Sequence, residues 1–222
     1  MRYMKTISSL ATFVSFSLIV GCSDPADKVH KSAGTEPQKP AAAPAASAKE
    51  YVVRSESKIG FVGSKVTGKH NGGFKNFSGK FNVSDGKIVG APEIKIGMKS
   101  IWTDTDRLTG HLKSPDFFDV AKFPTATFTA TSIAQEGAGQ KVAANITGNL
   151  NLHGVTKSIS FPAQIEIADD ALAVKSEFAI NRKDFNVNYP GKPDDLIRDN
   201  VVIILDIKAT PGPARLEDQL AD

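Results

Sequence analysis

Between about Tyr51 and Thr210 the apolar residues recur at every second position, a period that fits strands and not helices. In the run 142–152 the even positions Val142, Ala144, Ile146, Gly148, Leu150 and Leu152 are apolar or small, while Asn145, Thr147, Asn149 and Asn151 hold the odd ones. Such a strand has one dry face and one wet face. The alternation continues in Ile159, Phe161, Ala163, Ile165 and Ile167, in Leu172, Val174, Ser176, Phe178 and Ile180, and in Ala126, Phe128 and Ala130. It returns in Phe77, Gly79, Phe81 and Val83, in Ile94, Ile96 and Met98, and less strictly from Val201 to Ala209.

Antiparallel strands with one wet face suit a sandwich or a closed barrel, and closure removes the edges that invite aggregation. The expected fold is all-β, an extended antiparallel barrel of about eight strands. Turn signals stand where it needs them, at Ser84-Asp85-Gly86, at Glu136 to Gly139 and at Asp169-Asp170. A membrane-spanning barrel is apolar outside, and the Asn, Lys, Glu and Thr on these strand faces argue against one. The inward rows mix Phe and Ile with Gly79, Ala126, Ala130, Gly148, Ala163 and Ser176. Small inward residues can leave room for a guest, but a packed, tapered core uses the same mixture, so alternation leaves both interiors open.

Residues 103–119 break the period. Leu108 and Leu112 are four apart, Thr103 and Asp106 read as a capping pair, and Ser114-Pro115 reads as a second helix start. Two short helical turns are predicted, bringing Phe117 and Phe118 against the barrel as a lid or as ordinary core.

Before the domain come two different stretches. Residues 1–21 have basic Arg2 and Lys5, an apolar run from Ile7 to Val20, and a close in Ile19-Val20-Gly21 before Cys22, the form of a lipoprotein signal peptide. Cys22 is the expected lipidation site, which implies export and anchoring in the cell envelope, facing the periplasm and most simply at the outer membrane. Residues 22–49 are rich in Pro, Ala and Ser and lack periodic apolar positions, so they are expected to form a flexible tether in which His30 is solvated. The barrel domain is expected over 50–211, followed by a tail, 212–222.

The remaining composition excludes more than it assigns. The net charge of +3 gives no cationic face for nucleic acid. With Cys22 the sole cysteine, no intramolecular disulfide or thiolate cluster can form. His70, His111 and His153 have no second ligand at metal spacing and read as turn or barrel-end residues, so neither a metal nor a cofactor is expected. No nucleophile elbow or phosphate-cradling loop occurs. Asp116, Asp119 and Asp184 suit caps and turns better than an acid pair, so the expectation is a binding protein and not an enzyme.

The run HLKSPDFFDVAKFPTATF, His111 to Phe128, resembles the signature of the YceI-like family of polyisoprenoid-binding, lipocalin-like proteins. SKIGFVGSKVTGKHNGGFKNFSGKF resembles its first two strands, GNLNLHGVTKSISF its central hairpin, and FAINRKDF with IRDNVVIILDIKA its last two strands. Thr109 stands where the family usually has an acid, and Asn186 where it usually has glycine, a change that the left-handed backbone tolerates. Residues 186–200 look peculiar to this chain and suited to reshape one mouth.

The resemblance implies an elongated lipocalin-like barrel, partly closed by the helical segment, with an isoprenoid amphiphile such as a polyprenyl phosphate or quinone inside. It would be carried, sequestered or sensed there. Phe61, Phe74, Phe77, Phe81, Trp102, Leu108, Phe117, Phe118, Phe128 and Phe178 are then the expected apolar contacts, some of them also plain core. His111, Lys113 and Arg182 are the expected headgroup contacts, with pairing of Arg182 to Asp184 or Asp199 an equal alternative. A filled barrel that binds a partner through exposed loops is the competing reading, an enzyme acting on such lipids is third, and homodimerisation stays open.

Overall fold

The computed structural model describes residues 23–43, 47–137 and 139–212. The expected signal segment, Cys22 and residues 213–222 lie outside the described residues. The elements in chain order are β1 (His30–Ser32), β2 (Lys49–Val53), β3 (Lys58–Lys65), β4 (Gly68–Phe74), β5 (Phe77–Ser84), β6 (Lys87–Gly97), β7 (Ile101–Thr103), α1 (Asp106–Lys113), β8 (Thr125–Glu136), β9 (Lys141–Leu152), β10 (Val155–Ile167), β11 (Leu172–Asn181), β12 (Gly191–Lys192), β13 (Asp195–Leu196) and β14 (Asn200–Pro211).

Eight antiparallel staves close into a barrel. β2 with β3, β4 with β5, and β6 with β7 each make one bent stave; β8, β9, β10, β11 and β14 supply the other five. Closure comes from β14, which pairs with β11 along one edge and with β2 and β3 along the other. The register puts Phe161 opposite Ile146 and Phe178 opposite Ile203, so the alternating apolar rows all face inward. Asp85 and Gly86, with φ of 52° and 70°, form the left-handed pair that a tight hairpin needs. His153 and Gly154, with φ of 52° and 75°, do the same between β9 and β10.

The two ends differ. The turns at 84–87, 136–141 and 167–172 gather at one end, where the Tyr51 hydroxyl donates to the Ala168 carbonyl at 2.9 Å. Behind them Tyr51, Phe81, Val83, Val142, Ile165, Leu172 and Val174 are buried as core. At the other end lie α1, the β3–β4 and β9–β10 turns, and residues 182–199.

Small inward residues make room for neighbours instead of leaving gaps. A Cβ on Gly148 would lie 2.3 Å from Cζ of Phe128, and one on Gly79 would lie 2.4 Å from Cδ1 of Ile94. Each glycine is the seat for the side chain beside it.

Two expectations need correction. α1 begins after Thr105, not at Thr103, whose N–H instead donates to the Thr109 hydroxyl at 2.8 Å. The residue where the family usually has an acid thus ties β7 to α1. Ser114 is the C-cap of α1, and its carbonyl accepts from Phe117 and Asp119 in a hydrogen-bonded turn, so no second helix starts there.

The second correction concerns the tether, because residues 24–38 are docked. A 3-10 turn, Pro25–Lys28, buries Ala26 completely against Ala179 and Val202, and β1 pairs in parallel with Phe178–Ile180 of β11. The cause lies in the wall. β10 and β11 pair only from Gln164 and Lys175 to Ile167 and Leu172, and they splay towards the open end. In that seam Ser160 N–H donates to the Ser32 hydroxyl at 2.9 Å, and Thr35 exchanges both backbone bonds with Ser158. The N–H groups of Ser158 and Ser160 both face the seam, so period two turns position 162 the same way. Pro162 stands there and has no N–H to satisfy. His30 is exposed, as expected, but its ring Nε2 bonds the Ser160 carbonyl at 3.2 Å.

Candidate ligand-binding cavity

The half of the barrel beneath α1 is hollow. A cavity of about 520 Å³ opens at the rim between Lys65, His70, Arg107, Lys192 and Asp195 and runs inward to Leu205 and Ile207. Along β14 its wall extends from Val201 to Ile207, roughly 20 Å of strand at 3.3 Å per residue. The size suits a small-molecule pocket, for which about 300–1,000 Å³ is usual. Its deep wall is apolar, built from Ile94, Ile96, Phe128, Leu150, Ile159, Phe161, Phe178 and Ile203. Phe161 and Phe178 stack face to face with centroids 4.1 Å apart, and Phe128 leans on Phe161 at 5.6 Å. These rings line the cavity, which continues past them to Leu205 and Ile207.

The lid is assembled from three segments. Leu108, His111 and Leu112 of α1, Phe117 and Phe118 of the following turn, and Val187 and Tyr189 beyond β11 all border the cavity. His111 stands edge-on between Phe117 and Tyr189, 4.9 Å from each, and its Nε2 is hydrogen-bonded to Asp116 at 2.8 Å. On the opposite rim His70 Nδ1 meets Asp104 at 2.7 Å. The Asn71 N–H, and then His70, hold the Asp104 carboxyl below its ordinary range.

Arg182 is 5% exposed, and its guanidinium donates to the carbonyls of Arg198, Val187 and Ile197. It clamps the loop 186–199 to the end of β11. Asp199 is 3.7 Å away, while burial pushes the guanidinium below its usual pKa. Within that loop Asn186 takes the left-handed conformation (φ 57°), and β12 pairs with β13 to form a small hairpin on the rim. Lys65 is ion-paired with Asp195 of that hairpin, which holds this carboxyl low.

Of the residues singled out from the sequence, Phe61, Phe74, Leu108, Phe117, Phe118, Phe128, Phe178, His111 and Arg182 border the cavity. Four do not. Phe81 belongs to the packed end, and Phe77 packs against the same core. Trp102 sits opposite Gly73 with its neighbours Ile101 and Thr103 buried, so the pleat turns it outward and leaves it 40% exposed. Lys113 closes α1 outside the lining. Arg182 is also not a free donor, since its bonds go to the protein's own carbonyls. Asp116 serves His111, Asp184 accepts from Gly34 N–H at 3.0 Å, and Asp119 takes a turn conformation with φ 42°. Sequence reasoning missed Met98, Val187, Tyr189 and Ile197 as lining residues. The last three lie outside regular strands, where no period marks them. Among the described residues no group of three His, Cys, Asp or Glu comes together to hold a metal, and no helix is long and apolar enough to cross a membrane.

Known proteins resemble this chain in sequence and in fold. A UPF0312 protein of Pseudomonas putida is 32% identical over 158 residues, covering 66% of this chain and 80% of its own length. Protein YceI of Salmonella heidelberg is 34% identical over 154 residues, covering 63% and 77%. Among solved structures, Burkholderia cenocepacia BcnA superposes with a TM-score of 0.61 at 24% identity, over 70% of this chain and 97% of that one. A polyisoprenoid binding domain from Saccharophagus degradans gives a TM-score of 0.61 at 19% identity, over 74% and 99%. The profile of the YceI-like domain matches residues 51–209, from within β2 to within β14, and the chain therefore belongs to the YceI-like family.

Proposed function

We propose that this chain binds a long apolar amphiphile of isoprenoid type, a polyprenyl phosphate or quinone, and sequesters, carries or senses it. The observation that carries this reading is the hollow half of the barrel: a deep apolar tunnel open at one rim, next to a half that the protein fills itself. At about 0.8 kcal/mol per buried methylene, a chain of a few prenyl units gains enough to offset its own ordering without many polar contacts. The polyisoprenoid-binding neighbour supports the ligand class.

The polar groups that meet a headgroup in this reading are His70, His111, Lys192 and Arg107 on the rim, with Arg182 a positioning residue behind them. The chain is further proposed to be exported and lipid-anchored through Cys22, on the strength of its N-terminal sequence. Native mass spectrometry of the mature protein tests the function. A co-purifying mass of prenyl periodicity is expected; an empty protein from several hosts, unresponsive to added polyprenyl phosphate and quinone, would overturn it.

A further inference from the structure

The N-terminal segment reaches the barrel at its open end. Asp24 lies 3.5 Å from the Ser64 hydroxyl and 3.8 Å from Arg198, and its carboxylate accepts from Ala26 N–H at 3.0 Å. Ser64 and Ile197, the neighbour of Arg198, border the mouth of the cavity. Cys22 is two residues upstream of Asp24, so the two Cα atoms are separated by no more than about 7 Å. A lipid on Cys22 would thus be joined to the chain within two residues of a segment docked at the open end.

The same rim carries a second, independent feature. Val66 and Leu196 are 54% and 50% exposed, and the Val66 N–H donates to the Leu196 carbonyl at 3.2 Å, which sets the β3–β4 tip against the β12–β13 hairpin. They are two of the four exposed large hydrophobic residues among the described ones. Beside them Lys65 is ion-paired with Asp195, and the His70 ring is hydrogen-bonded to Asp104. Paired charges beside exposed aliphatic tips suit the interfacial layer of a bilayer better than a strongly charged protein.

We infer that the open end of the barrel rests on the membrane, with Val66 and Leu196 in the interfacial layer and the cavity mouth facing the lipid. The inference rests on lipidation of Cys22. The strap formed by residues 24–38 fixes the orientation, and a ligand then passes between bilayer and barrel without crossing bulk water.

The test uses the full-length lipidated protein in vesicles of phosphatidylethanolamine and phosphatidylglycerol containing brominated acyl chains. An environment-sensitive fluorophore is placed on V66C or, at the opposite end, on D170C. The label at 66 is expected to be quenched several-fold more than the label at 170. In the V66C background, Leu196→Asp should reduce that quenching at least twofold. Mass spectrometry of the N-terminal peptide reads lipidation separately. An unmodified Cys22 would refute the anchoring reading and this inference with it. A lipidated peptide with equal quenching at both positions, or deeper quenching at 170, would refute the orientation alone.

Discussion

The two halves of the barrel interior are built by the same strands and filled in opposite ways. β10 supplies Ile165 to the packed end and Ile159 to the cavity, and β14 supplies Ala209 to the packed core and Ile203 to the cavity. Both halves show the same alternation and the same aliphatic and aromatic residues. What separates them lies above the wall: one end is drawn shut by three tight turns and Tyr51, while the other is spanned by α1 and the 186–199 loop. Hollowness is therefore a property of how the end is closed, not of the strand pattern.

The largest effect that sharpens the comparison is a truncation in each half. Ile165→Ala, at a fully buried position, is expected to cost about 3–5 kcal/mol in chemical denaturation. Ile203→Ala should cost only about 1–2 kcal/mol, because its side chain already borders empty space, yet it should loosen ligand retention. Equal costs would break the distinction between the halves.

Next comes the clamp of the mouth. Arg182→Met removes the donors of three loop carbonyls and should cost about 2–3 kcal/mol, with hydrogen exchange rising in 186–199 before it rises in the wall. Ser32→Ala removes the acceptor of Ser160 N–H and should cost about 1 kcal/mol, with faster exchange at Ser160. The smallest effect is acidification. Because the folded Asp104 carboxyl is held low, its contribution is present above the ordinary carboxylate pKa of about 3.9 and lost as pH falls through the lower folded value. Amide exchange at Asn71 should accelerate in that acid window, while Ile165 at the packed end stays protected.

Much of the wall was legible in the sequence because one period repeats along each stave. The Asp85-Gly86 turn followed from residue chemistry, and Asn186 fits the left-handed site where the family usually has glycine. The interior was not legible: Phe81 and Phe128 occupy equivalent positions in the pattern, and only the three-dimensional closure assigns one to core and the other to the cavity. The strap was hidden for a different reason. β1 is three residues long and parallel, and the strap holds the seam through Ser32, Thr35 and backbone bonds that no apolar period announces. Trp102, expected as an apolar contact from the resemblance, is turned outward by the register at Gly73.

Methyl NMR during titration with a short polyprenyl phosphate addresses the central claim most directly. The methyls of Ile94, Ile96, Leu150 and Ile203 should shift, while those of Val83, Ile88, Val142 and Ile165 stay in place. Shifts confined to the exposed Val66, Leu196 and Ile204, or none at all, would contradict a ligand housed in the hollow half.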